Sequence, residues 1–430
     1  MRYFGTDGIR GEPLKDLSLE FVLKLSKLIP ILGVKHVLIG TDTRESKDML
    51  AFQMIAGCLS QGLNVEYVGV ISTPGLMYLT KIHSSIGIMI TASHNPFSDN
   101  GIKLIWKGEK LAAEMEQQIE ELLDQPSPEP RSIGHFYYNS KAIREYHLML
   151  SKDIVPTSIR IGLDCANGAT YKTAPMLFGL VTSQLEIIGN TPDGKNINKN
   201  CGSTHLESLA RIVQEKHCDL GIAFDGDGDR VLFLNQRGEE ISGDVLIYIM
   251  ACYLKQNNAL KQNRVALTIM SNPGIILALR KKGIDVIETP VGDKYILEAI
   301  KKYDLSLGGE NSGHIILSDA SFIGDGIRNA MLILRILEET HTKIEDWSRE
   351  IDLYPNHLQN IQVAHKDIVM GNILQQEIKK MKDEASNDCK IIVRPSGTED
   401  CIRISVMAKT TEVVLNFKER LKNLILSLDA

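Results

Sequence analysis

The stretch Ser85–Trp106, SIGIMITASHNPFSDNGIKLIW, decides the fold because two apolar runs enclose a polar segment. Ile86–Ile90 and Ile102–Trp106 have the composition of buried strands. The residues between them, Thr91–Gly101, are mostly small or polar, which is typical of a loop. Ser93 is therefore predicted to lie on a loop held at both ends by strands. This position suits a nucleophile, and it also suits a serine that only caps a turn.

The composition is that of an ordinary globular protein. The chain has 430 residues, of which 43% are hydrophobic and 24% charged, and this length predicts about two to four domains. The net charge of −6 argues against nucleic-acid and membrane-surface partners. The sequence has neither a run of about 18 apolar residues nor a signal-peptide pattern at its start, so we expect a cytoplasmic protein. Seven scattered cysteines without a C-x-x-C pair indicate reduced thiols.

Apolar strands alternate with helical patterns along most of the chain. This alternation predicts mainly parallel sheets covered by helices on both faces. We expect α/β domains at residues 1–150, 151–257 and 258–353, followed by a C-terminal α+β domain at residues 354–430. Three prolines between residues 126 and 130 indicate a linker after the helix that ends near residue 123.

One pattern repeats in these domains: an apolar strand, a polar loop and a second apolar strand. The loops read TASHNPFSDNG from Thr91, DGDGDR from Asp225 and GGENSG from Gly308. They share a pattern and a position but not their letters. The tail has a loop of its own, RPSGTE from Arg394, between two strands. We therefore predict that each domain presents one loop that carries chemistry.

The loop DGDGDR places Asp225, Asp227 and Asp229 at alternate positions, with glycines that let the carboxylates converge. Three clustered carboxylates repel one another unless a cation lies among them. Oxygen ligands suit Mg²⁺ or Ca²⁺. The loop is not an EF-hand, because Arg230 and Gln236 stand where that motif needs glycine and glutamate. We predict a divalent-cation site with room for a phosphate oxygen; the alternative is a solvated acidic turn.

Two further loops have the composition of ligand-binding segments. Arg394–Glu399 offers backbone N–H groups, two hydroxyls and an arginine, with Arg403 nearby, and such a set binds anions; the alternative is an ordinary Ser-Gly turn. Gly309–His314 offers a carboxylate, an amide, a hydroxyl and an imidazole, which are groups that recognise vicinal sugar hydroxyls. The alternative for His314 is a strand-end histidine bonded to backbone.

Other nucleophile and nucleotide motifs fit poorly. Ser93 and His94 are adjacent, and adjacent side chains on extended backbone point apart, so we do not expect a Ser–His pair. The sequence contains neither G-x-S-x-G nor G-x-G-x-x-G. Gly189–Asn196 nearly matches a phosphate-binding loop, but asparagine stands where the hydroxyl should be. Metal-assisted phosphoryl chemistry at Ser93 is the interpretation that fits best.

Taken together, these residues resemble the α-D-phosphohexomutase family, over the whole chain and through four loops in the expected order. The resemblance implies three similar α/β mixed-sheet domains plus a C-terminal α+β domain around a central cleft. It also implies that Ser93 is carried as phosphoserine, and that its phosphate holds Mg²⁺ together with Asp225, Asp227 and Asp229. Tyr3–Gly11, Ala92–Lys103 and Pro192–Asn198 resemble the members that act on glucosamine phosphates more than those that act on mannose or glucose phosphates.

The resemblance implies further site residues. The groups expected to bind the sugar are Thr289, Gly292, Lys294, Glu310 and Ser312. The groups expected to hold the phosphate that does not react are Arg394, Ser396, Gly397, Thr398 and Arg403. The positions that line the phosphoserine are Arg10, His94, Lys103 and Arg230. Either Lys103 or His314 is expected to be the general base. Asp400 departs from the family pattern and adds a negative charge beside the phosphate loop.

The implied reaction converts glucosamine 6-phosphate to glucosamine 1-phosphate through a 1,6-bisphosphate, which would supply amino sugar for UDP-N-acetylglucosamine synthesis. The expected partner is a phosphosugar, and the chain is expected to be a monomer or a homodimer. One alternative is a phosphomannomutase or phosphoglucomutase. Asn311 leaves this choice open, because glutamine is common there in the glucosamine-specific members. Another alternative is an inactive relative that senses phosphosugars.

Overall fold

The computed structural model describes residues 2–5, 7–318, 324–385, 388–395 and 400–429. The chain divides into two compact units, one made of Met1–Thr268 with Ile287–Ser348 and the other of Ile269–Val286 with Arg349–Ala430. In the described part of the chain, no helix has the length and apolarity needed to cross a membrane. The predicted site residues Ser396, Gly397 and Thr398 lie outside the described residues.

The first sheet of the larger unit is a mixed sheet. Its strands are β1 (Phe4–Gly5), β2 (Gly8–Gly11), β3 (His36–Thr41), β4 (Asn64–Val70), β5 (Ile86–Ile90), β6 (Asn100–Trp106), β7 (Glu109–Lys110) and β8 (Phe136–Tyr138). They lie in the order β1-β2-β6-β5-β3-β4-β8, with β7 paired to β6. The central strands β3, β4 and β5 are parallel, whereas β6 runs antiparallel to β5.

Helices cover both faces of this sheet. They are α1 (Leu19–Leu28), α2 (Lys47–Ser60), α3 (Thr73–Ile82), α4 (Ala113–Leu123) and α5 (Ile143–Ser151). One apolar cluster joins Leu25 of α1 and Leu50 of α2 to Ile88 of β5. A second cluster, on the other face, joins Leu76 of α3 to Met89 of β5. Successive residues of β5 are thus buried on opposite faces, which explains its unbroken apolar run.

The second sheet has the strands β9 (Ile161–Asp164), β10 (Leu185–Ile188), β11 (Leu220–Phe224), β12 (Val231–Asn235) and β13 (Glu240–Ile241), in the order β10-β9-β11-β12-β13. Its helices are α6 (Thr173–Val181), α7 (Glu207–Glu215) and α8 (Gly243–Gln256). Strands β9, β10 and β11 are parallel, and β12 is antiparallel to β11. The sheet is therefore mixed, as predicted.

The third sheet contains β14 (Arg264–Thr268), β15 (Asp285–Thr289), β16 (Leu307–Gly309) and β17 (Ile315–Leu317), in the order β15-β14-β16-β17. The helices of this region are α9 (Pro273–Lys281), α10 (Asp293–Tyr303), α11 (Gly326–Thr340) and α12 (Ile344–Arg349). The residues of α9 belong to the smaller unit.

The smaller unit has its own sheet, with β18 (Asn356–Gln362), β19 (Cys389–Pro395) and β20 (Cys401–Ala408) in the order β18-β20-β19. Its remaining helices are α13 (Lys366–Val369), α14 (Asn372–Glu384) and α15 (Thr411–Asp429). All strand pairs are antiparallel. An apolar cluster that includes Ile404, Phe417 and Leu421 forms its core. The expected fold class of three α/β domains and a C-terminal α+β domain is confirmed, and the boundaries at residues 150, 257 and 353 stay predictions.

The predicted repeat of strand, loop and strand is confirmed. Each repeat is a pair of neighbouring antiparallel strands: β5 with β6, β11 with β12, β16 with β17, and β19 with β20. Each loop is therefore held by two strands of one sheet.

The segment after α4 differs from a simple linker. No strand or helix lies between α4 and β8, where the three prolines occur. The chain then returns to the first sheet, because β8 pairs in parallel with β4. Strand β8 and helix α5 were not predicted from the sequence; the strand is short and its side chains are exposed.

Candidate active site

Ser93 lies on the serine loop, Thr91–Asp99, which connects β5 to β6. Its side chain is almost completely buried, with 1% of its surface exposed. Its Oγ donates a hydrogen bond of 2.7 Å to Oδ2 of Asp225, 132 residues away. Its backbone φ is +52°, a left-handed conformation that costs a residue with a Cβ about 1–2 kcal/mol. The Ser93 hydroxyl therefore contacts Asp225 from a residue whose own backbone is strained.

The prediction that Ser93 and His94 point apart is wrong. The Ser93 Oγ lies 3.3 Å from Nδ1 of His94, within hydrogen-bond distance. The prediction assumed extended backbone, whereas left-handed backbone at Ser93 turns the two side chains toward each other. Burial and the nearby guanidinium groups of Arg230 and Arg10 together lower the pKa of the His94 imidazole to about 4. His94 is therefore neutral at neutral pH.

The aspartate loop, Asp225–Arg230, connects β11 to β12. Asp225, Asp227 and Asp229 are buried and each offers an oxygen within 4.8 Å of the others. Gly226 allows this loop to approach the serine loop, because a Cβ there would overlap the Ser93 carbonyl oxygen. The predicted convergence of the three carboxylates is confirmed.

The aspartate loop has the properties of a divalent-cation site. Burial raises the pKa of Asp225 well above its usual range, and the carboxylates of Asp229 and Asp227 raise it further. Within the described part of the chain, Oδ1 of Asp227 and Oδ1 of Asp229 are buried without a hydrogen-bond partner. Buried carboxylate oxygens without partners are costly. A divalent metal ion would satisfy these oxygens and neutralise the repulsion.

Lys103 of β6 reaches into the same cluster. Its Nζ lies 2.8 Å from Oδ2 of Asp227 and 2.7 Å from Oδ2 of Asp7. Burial opposes its charge, but the carboxylates of Asp227, Asp7 and Asp229 outweigh that effect and raise the pKa of its amine. With these neighbours, Lys103 is a cation that donates hydrogen bonds, which suits phosphate binding.

His314, at the end of the sugar loop (Glu310–His314), lies close to Asp229. Its Nδ1 is 3.6 Å from Oδ2 of Asp229, and its Nε2 is 3.7 Å from Oδ2 of Asp293. Burial disfavours the imidazolium, but the Asp229 carboxylate outweighs that effect, with a further contribution from Asp293, and the pKa of His314 is raised. The carboxylates of Asp229 and Asp293 therefore stabilise the imidazolium form of His314.

Two arginines approach the serine loop and the aspartate loop. Arg10 donates to Oδ1 of Asn95 at 3.2 Å and to Oδ2 of Asp7 at 2.7 Å. The backbone N–H of Arg230 donates to Oδ1 of Asp225 at 3.2 Å. The predicted phosphoserine-lining residues Arg10, His94, Lys103 and Arg230 therefore lie around one centre. The positive charges of Arg10, Lys103 and Arg230 provide attraction for an anion.

The predicted sugar-binding residues fall into two groups. Glu310 is mostly buried, and its Oε1 accepts a hydrogen bond of 3.0 Å from the backbone N–H of Gly292. Lys294 lines a small cavity together with His314 and Asp229. Ser312 is half-buried, whereas Thr289 is buried and its Oγ1 donates to the Pro290 carbonyl at 3.0 Å. The structure thus places Glu310, Gly292 and Lys294 together, and the Thr289 hydroxyl is already engaged.

Arg394 and Arg403 belong to the smaller unit, where they are directly opposite each other on β19 and β20. Directly opposite residues of antiparallel strands project from the same face, and like charges there repel. Arg394 is exposed and Arg403 is half-buried. A bound phosphate would relieve the repulsion between these two guanidinium groups. The nearby Asp400 carboxylate is 3.2 Å from Nζ of Lys366, so a cation already compensates its charge.

Comparison with known proteins identifies the family. Four family models, described as phosphoglucomutase/phosphomannomutase alpha/beta/alpha domains I, II and III and C-terminal domain, match residues 1–129, 121–238, 242–354 and 358–424. A protein named phosphoglucosamine mutase from Halalkalibacterium halodurans is 41% identical over 440 residues, which cover 99% of this chain and 98% of that protein. The chain belongs to the phosphoglucosamine mutase family.

Solved structures of hexose-phosphate mutases have the same fold as this member of the family. A phosphoglucomutase/phosphomannomutase family protein from Burkholderia thailandensis matches with a TM-score of 0.83 and 18% identity, over 99% of this chain and 97% of that chain. The N-acetylphosphoglucosamine mutase of Aspergillus fumigatus, in complex with GlcNAc-6P and magnesium, matches with a TM-score of 0.72 and 17% identity, over 100% and 96%.

Some residues reach the site through long-range contacts and were not predicted from the sequence. Lys110 lies 2.7 Å from Oδ1 of Asp7 and 2.5 Å from Oδ2 of Asp293, and so connects the groups that flank Lys103 and His314. Thr73, at the start of α3, donates from Oγ1 to Oδ2 of Asp227 at 2.6 Å. The signal for Asp7 is its position in a glycine-rich, charged N-terminal segment. The sequence carries no comparable signal for Thr73 or Lys110.

Proposed function

We propose that this enzyme is an intramolecular phosphotransferase that interconverts glucosamine 6-phosphate and glucosamine 1-phosphate. The observation that carries the proposal is the 2.7 Å contact between Oγ of Ser93 and Asp225, inside a buried cluster of three aspartates. The 41% identity to a protein named phosphoglucosamine mutase supports the choice of sugar. The product would supply amino sugar for UDP-N-acetylglucosamine synthesis.

In this proposal Ser93 carries a phosphoryl group, and Asp225, Asp227 and Asp229 hold Mg²⁺ together with that phosphate. Mg²⁺ fits because its ligands are all oxygens and because it commonly keeps positions for a phosphate oxygen. When bound, the ion neutralises the charge that develops on the transferred phosphoryl group. The Aspergillus fumigatus protein, whose structure contains magnesium, has the same fold.

The residues around Ser93 bind and orient the phosphoryl group. Arg10, Lys103 and Arg230 supply positive charge, and neutral His94 lies beside the serine oxygen. The bond between phosphorus and Oγ breaks as phosphorus bonds to the free hydroxyl oxygen of the sugar. The proton of that hydroxyl passes to a general base, for which Lys103 and His314, in their neutral forms, are the candidates. The resulting 1,6-bisphosphate turns around, and its other phosphoryl group returns to Ser93. The sugar oxygen left behind takes the proton back from that base.

Recognition of either end of the sugar requires contacts away from Ser93. We assign the sugar hydroxyls to Glu310 and Ser312, with Gly292 and Lys294 nearby and Thr289 as part of the surrounding wall. We assign the phosphate that does not react to Arg394 and Arg403, with Ser396, Gly397 and Thr398 completing the loop. The cross-strand pairing of the two arginines supports this assignment.

The test is a substrate panel run with purified protein in the presence and absence of Mg²⁺. We expect turnover of glucosamine 6-phosphate that depends on Mg²⁺ and falls to background in Ser93→Ala. A matched control is Ser98→Ala, because Ser98 is exposed on the same loop and bonds only to its neighbour Asp99 in the described structure. Undiminished turnover in Ser93→Ala would reject the proposal.

The same panel separates the glucosamine mutase from a phosphomannomutase or phosphoglucomutase. Specificity is the ratio of kcat/KM values for the competing substrates. We expect the value for glucosamine 6-phosphate to exceed those for mannose 6-phosphate and glucose 6-phosphate. A larger value for either neutral sugar would transfer the assignment to that activity.

A further inference from the structure

Arg44 is a fully buried arginine whose side chain lies under the serine loop. Its Nη2 donates to the carbonyl oxygens of Ser93 and Asn95, both at 2.9 Å. Its Nη1 donates to the carbonyl oxygens of Asp99, at 2.9 Å, and Pro96. One guanidinium group thus holds four backbone carbonyls of a single loop.

Asp42 fixes the orientation of this guanidinium. Its Oδ2 accepts from Nε of Arg44 at 2.8 Å, and its Oδ1 accepts from the Arg44 backbone N–H at 2.9 Å. The same Oδ2 accepts from Oγ1 of Thr91, at the start of the serine loop, at 2.7 Å. Asp42 therefore fixes the orientation in which the planar guanidinium faces the loop.

Asn198 holds the same loop from a different region of the sequence. Its Nδ2 donates to the carbonyl oxygen of Ser93 at 2.8 Å and to that of Asn95 at 3.1 Å. These are two of the carbonyls that Nη2 of Arg44 also holds. Asn198 follows β10 and has a left-handed φ of +56°.

These contacts explain how the serine loop keeps a strained shape. Ser93 has a left-handed φ of +52°, and such residues persist only where the surroundings hold them. Donors from Arg44 and Asn198 meet at the Ser93 carbonyl, while the Ser93 hydroxyl points to Asp225. If the carbonyl turned away, the hydroxyl would move as well, because both belong to one residue.

We propose that Arg44 and Asn198 are positioning residues that hold the Ser93 and Asn95 carbonyls and so aim the Ser93 hydroxyl at the aspartate cluster. This inference rests on the proposed role of Ser93 as the phosphoryl carrier. Neither side chain needs to touch the sugar. Removing one donor set is therefore expected to slow phosphoryl transfer and to leave substrate binding nearly unchanged.

The decisive variant is Asn198→Gly, with Asn200→Gly as its matched control. Both asparagines have a left-handed φ, +56° and +54°, so glycine fits the backbone at each. Asn200 is exposed, and its only described bond is accepted by its backbone carbonyl from Oγ of Ser208. Asn198→Gly removes the amide that holds the serine loop, whereas Asn200→Gly removes a side chain that does not contact it.

We expect kcat to fall about 10- to 100-fold in Asn198→Gly, the size of effect that a misplacement of about 1 Å produces. KM should stay within about twofold, and Asn200→Gly should match the wild type in both constants. In single-turnover experiments, the rate of transfer from phosphorylated enzyme to the sugar should fall by the same factor as kcat. Wild-type kcat in Asn198→Gly, or an equal loss in Asn200→Gly, would overturn the inference.

Arg44→Lys provides the second variant, because one ammonium cannot span four carbonyls and Asp42. We expect a larger loss of kcat than in Asn198→Gly, with the folded fraction measured by thermal unfolding. If Arg44→Lys does not fold, the kinetics of Asn198→Gly alone test the positioning role. Intact-protein mass spectrometry after incubation with a hexose 1,6-bisphosphate distinguishes a failure of the proposed function from a failure of the positioning role. Wild-type protein that takes no phosphate would overturn the proposed function, whereas phosphorylated wild type with an unimpaired Asn198→Gly would overturn only the positioning role.

Discussion

The serine loop and the aspartate loop lie next to each other, but their shapes are maintained in opposite ways. The carbonyls of the serine loop are held by donors from Arg44 and Asn198. The aspartate loop instead gathers three carboxylates, and buried oxygens of Asp227 and Asp229 have no hydrogen-bond partner among the described residues. Donors from the protein satisfy the carbonyls of the serine loop, whereas a bound cation would satisfy the buried carboxylate oxygens of the aspartate loop.

Because of this difference, substitutions near the serine loop and substitutions in the aspartate loop should have different effects. The substitutions Asn198→Gly and Arg44→Lys should alter the position of Ser93 without altering charge. Changes in the aspartate loop should alter charge balance, and their effect on stability should depend on the metal ion. The sign of the stability change in the absence of metal therefore distinguishes the two loops.

The largest effect is expected for Asp225→Asn. The substitution keeps an acceptor for the backbone N–H groups of Gly228 and Arg230, and it removes one of three repelling carboxylates. We expect about a 10²- to 10³-fold loss of turnover, because the site loses charge that holds the ion. In EDTA the variant should have a higher Tm than the wild type, because burial and the neighbouring carboxylates raise the pKa of Asp225 well above its usual range.

Asp164→Asn is the control for Asp225→Asn. Asp164 is also buried, but its two oxygens accept from the backbone N–H groups of Ala166 and Gly202. Asparagine would turn one acceptor into a donor, so Asp164→Asn should lower the Tm with or without metal. Thermal unfolding in Mg²⁺ and in EDTA measures both variants. A lower Tm of Asp225→Asn in EDTA would contradict the view that this loop needs a cation.

A smaller effect is expected for Thr73→Val, which tests the contact between α3 and the aspartate loop. The variant loses the 2.6 Å hydrogen bond from Oγ1 to Oδ2 of Asp227 but keeps the backbone bond from the Thr73 N–H to the Asp227 carbonyl. We expect about a 10-fold loss of kcat and about 1.5–3 kcal/mol of lost stability, the range for hydrogen bonds to charged groups. Steady-state kinetics and urea unfolding measure the two quantities.

Thr80→Val is the matched control on the same helix. Thr80 is fully buried, and its Oγ1 donates to the Met77 carbonyl and accepts from the Gly108 N–H. It should lose about 1 kcal/mol of stability and keep its kcat. Equal kinetic losses in Thr73→Val and Thr80→Val would mean that the first acts only through stability.

Local sequence was sufficient to predict the loops but not the way in which they are held. Apolar runs flank each loop, so their positions between strands followed from composition, and the alternation in Asp225–Asp229 predicted that the carboxylates converge. The left-handed backbone of Ser93 was not predictable, because the residue is not glycine and tertiary contacts impose the conformation. The error about His94 follows directly from this.

Contacts between distant segments could not be predicted from the sequence for a similar reason. In the sequence, Arg44 looks like an ordinary charged residue after a strand. Only the structure shows that it contacts Ser93, which lies 49 residues later in the chain. Asn198 was noticed only as part of a motif, with no indication that its amide reaches the serine loop. The fold and the chemistry of the loops were therefore predictable, whereas the positioning residues were not.

The smallest effect is expected for Glu116→Gln, which separates burial from clustering as the cause of instability in the aspartate loop. Burial raises the pKa of Glu116 to about 7, although Lys294 and Lys110 partly oppose the shift. A carboxyl whose pKa is higher in the folded state destabilises that state progressively as the pH rises from about 4.5 through 7. Glu116→Gln should therefore be more stable than the wild type at pH 8, by about 1 kcal/mol for this half-exposed group, and the difference should shrink toward pH 5. Urea unfolding across that range measures it. If Glu116→Gln gained as much stability as Asp225→Asn does in EDTA, burial alone would explain the instability of the aspartate loop. Repulsion among its carboxylates would then not be needed to explain it.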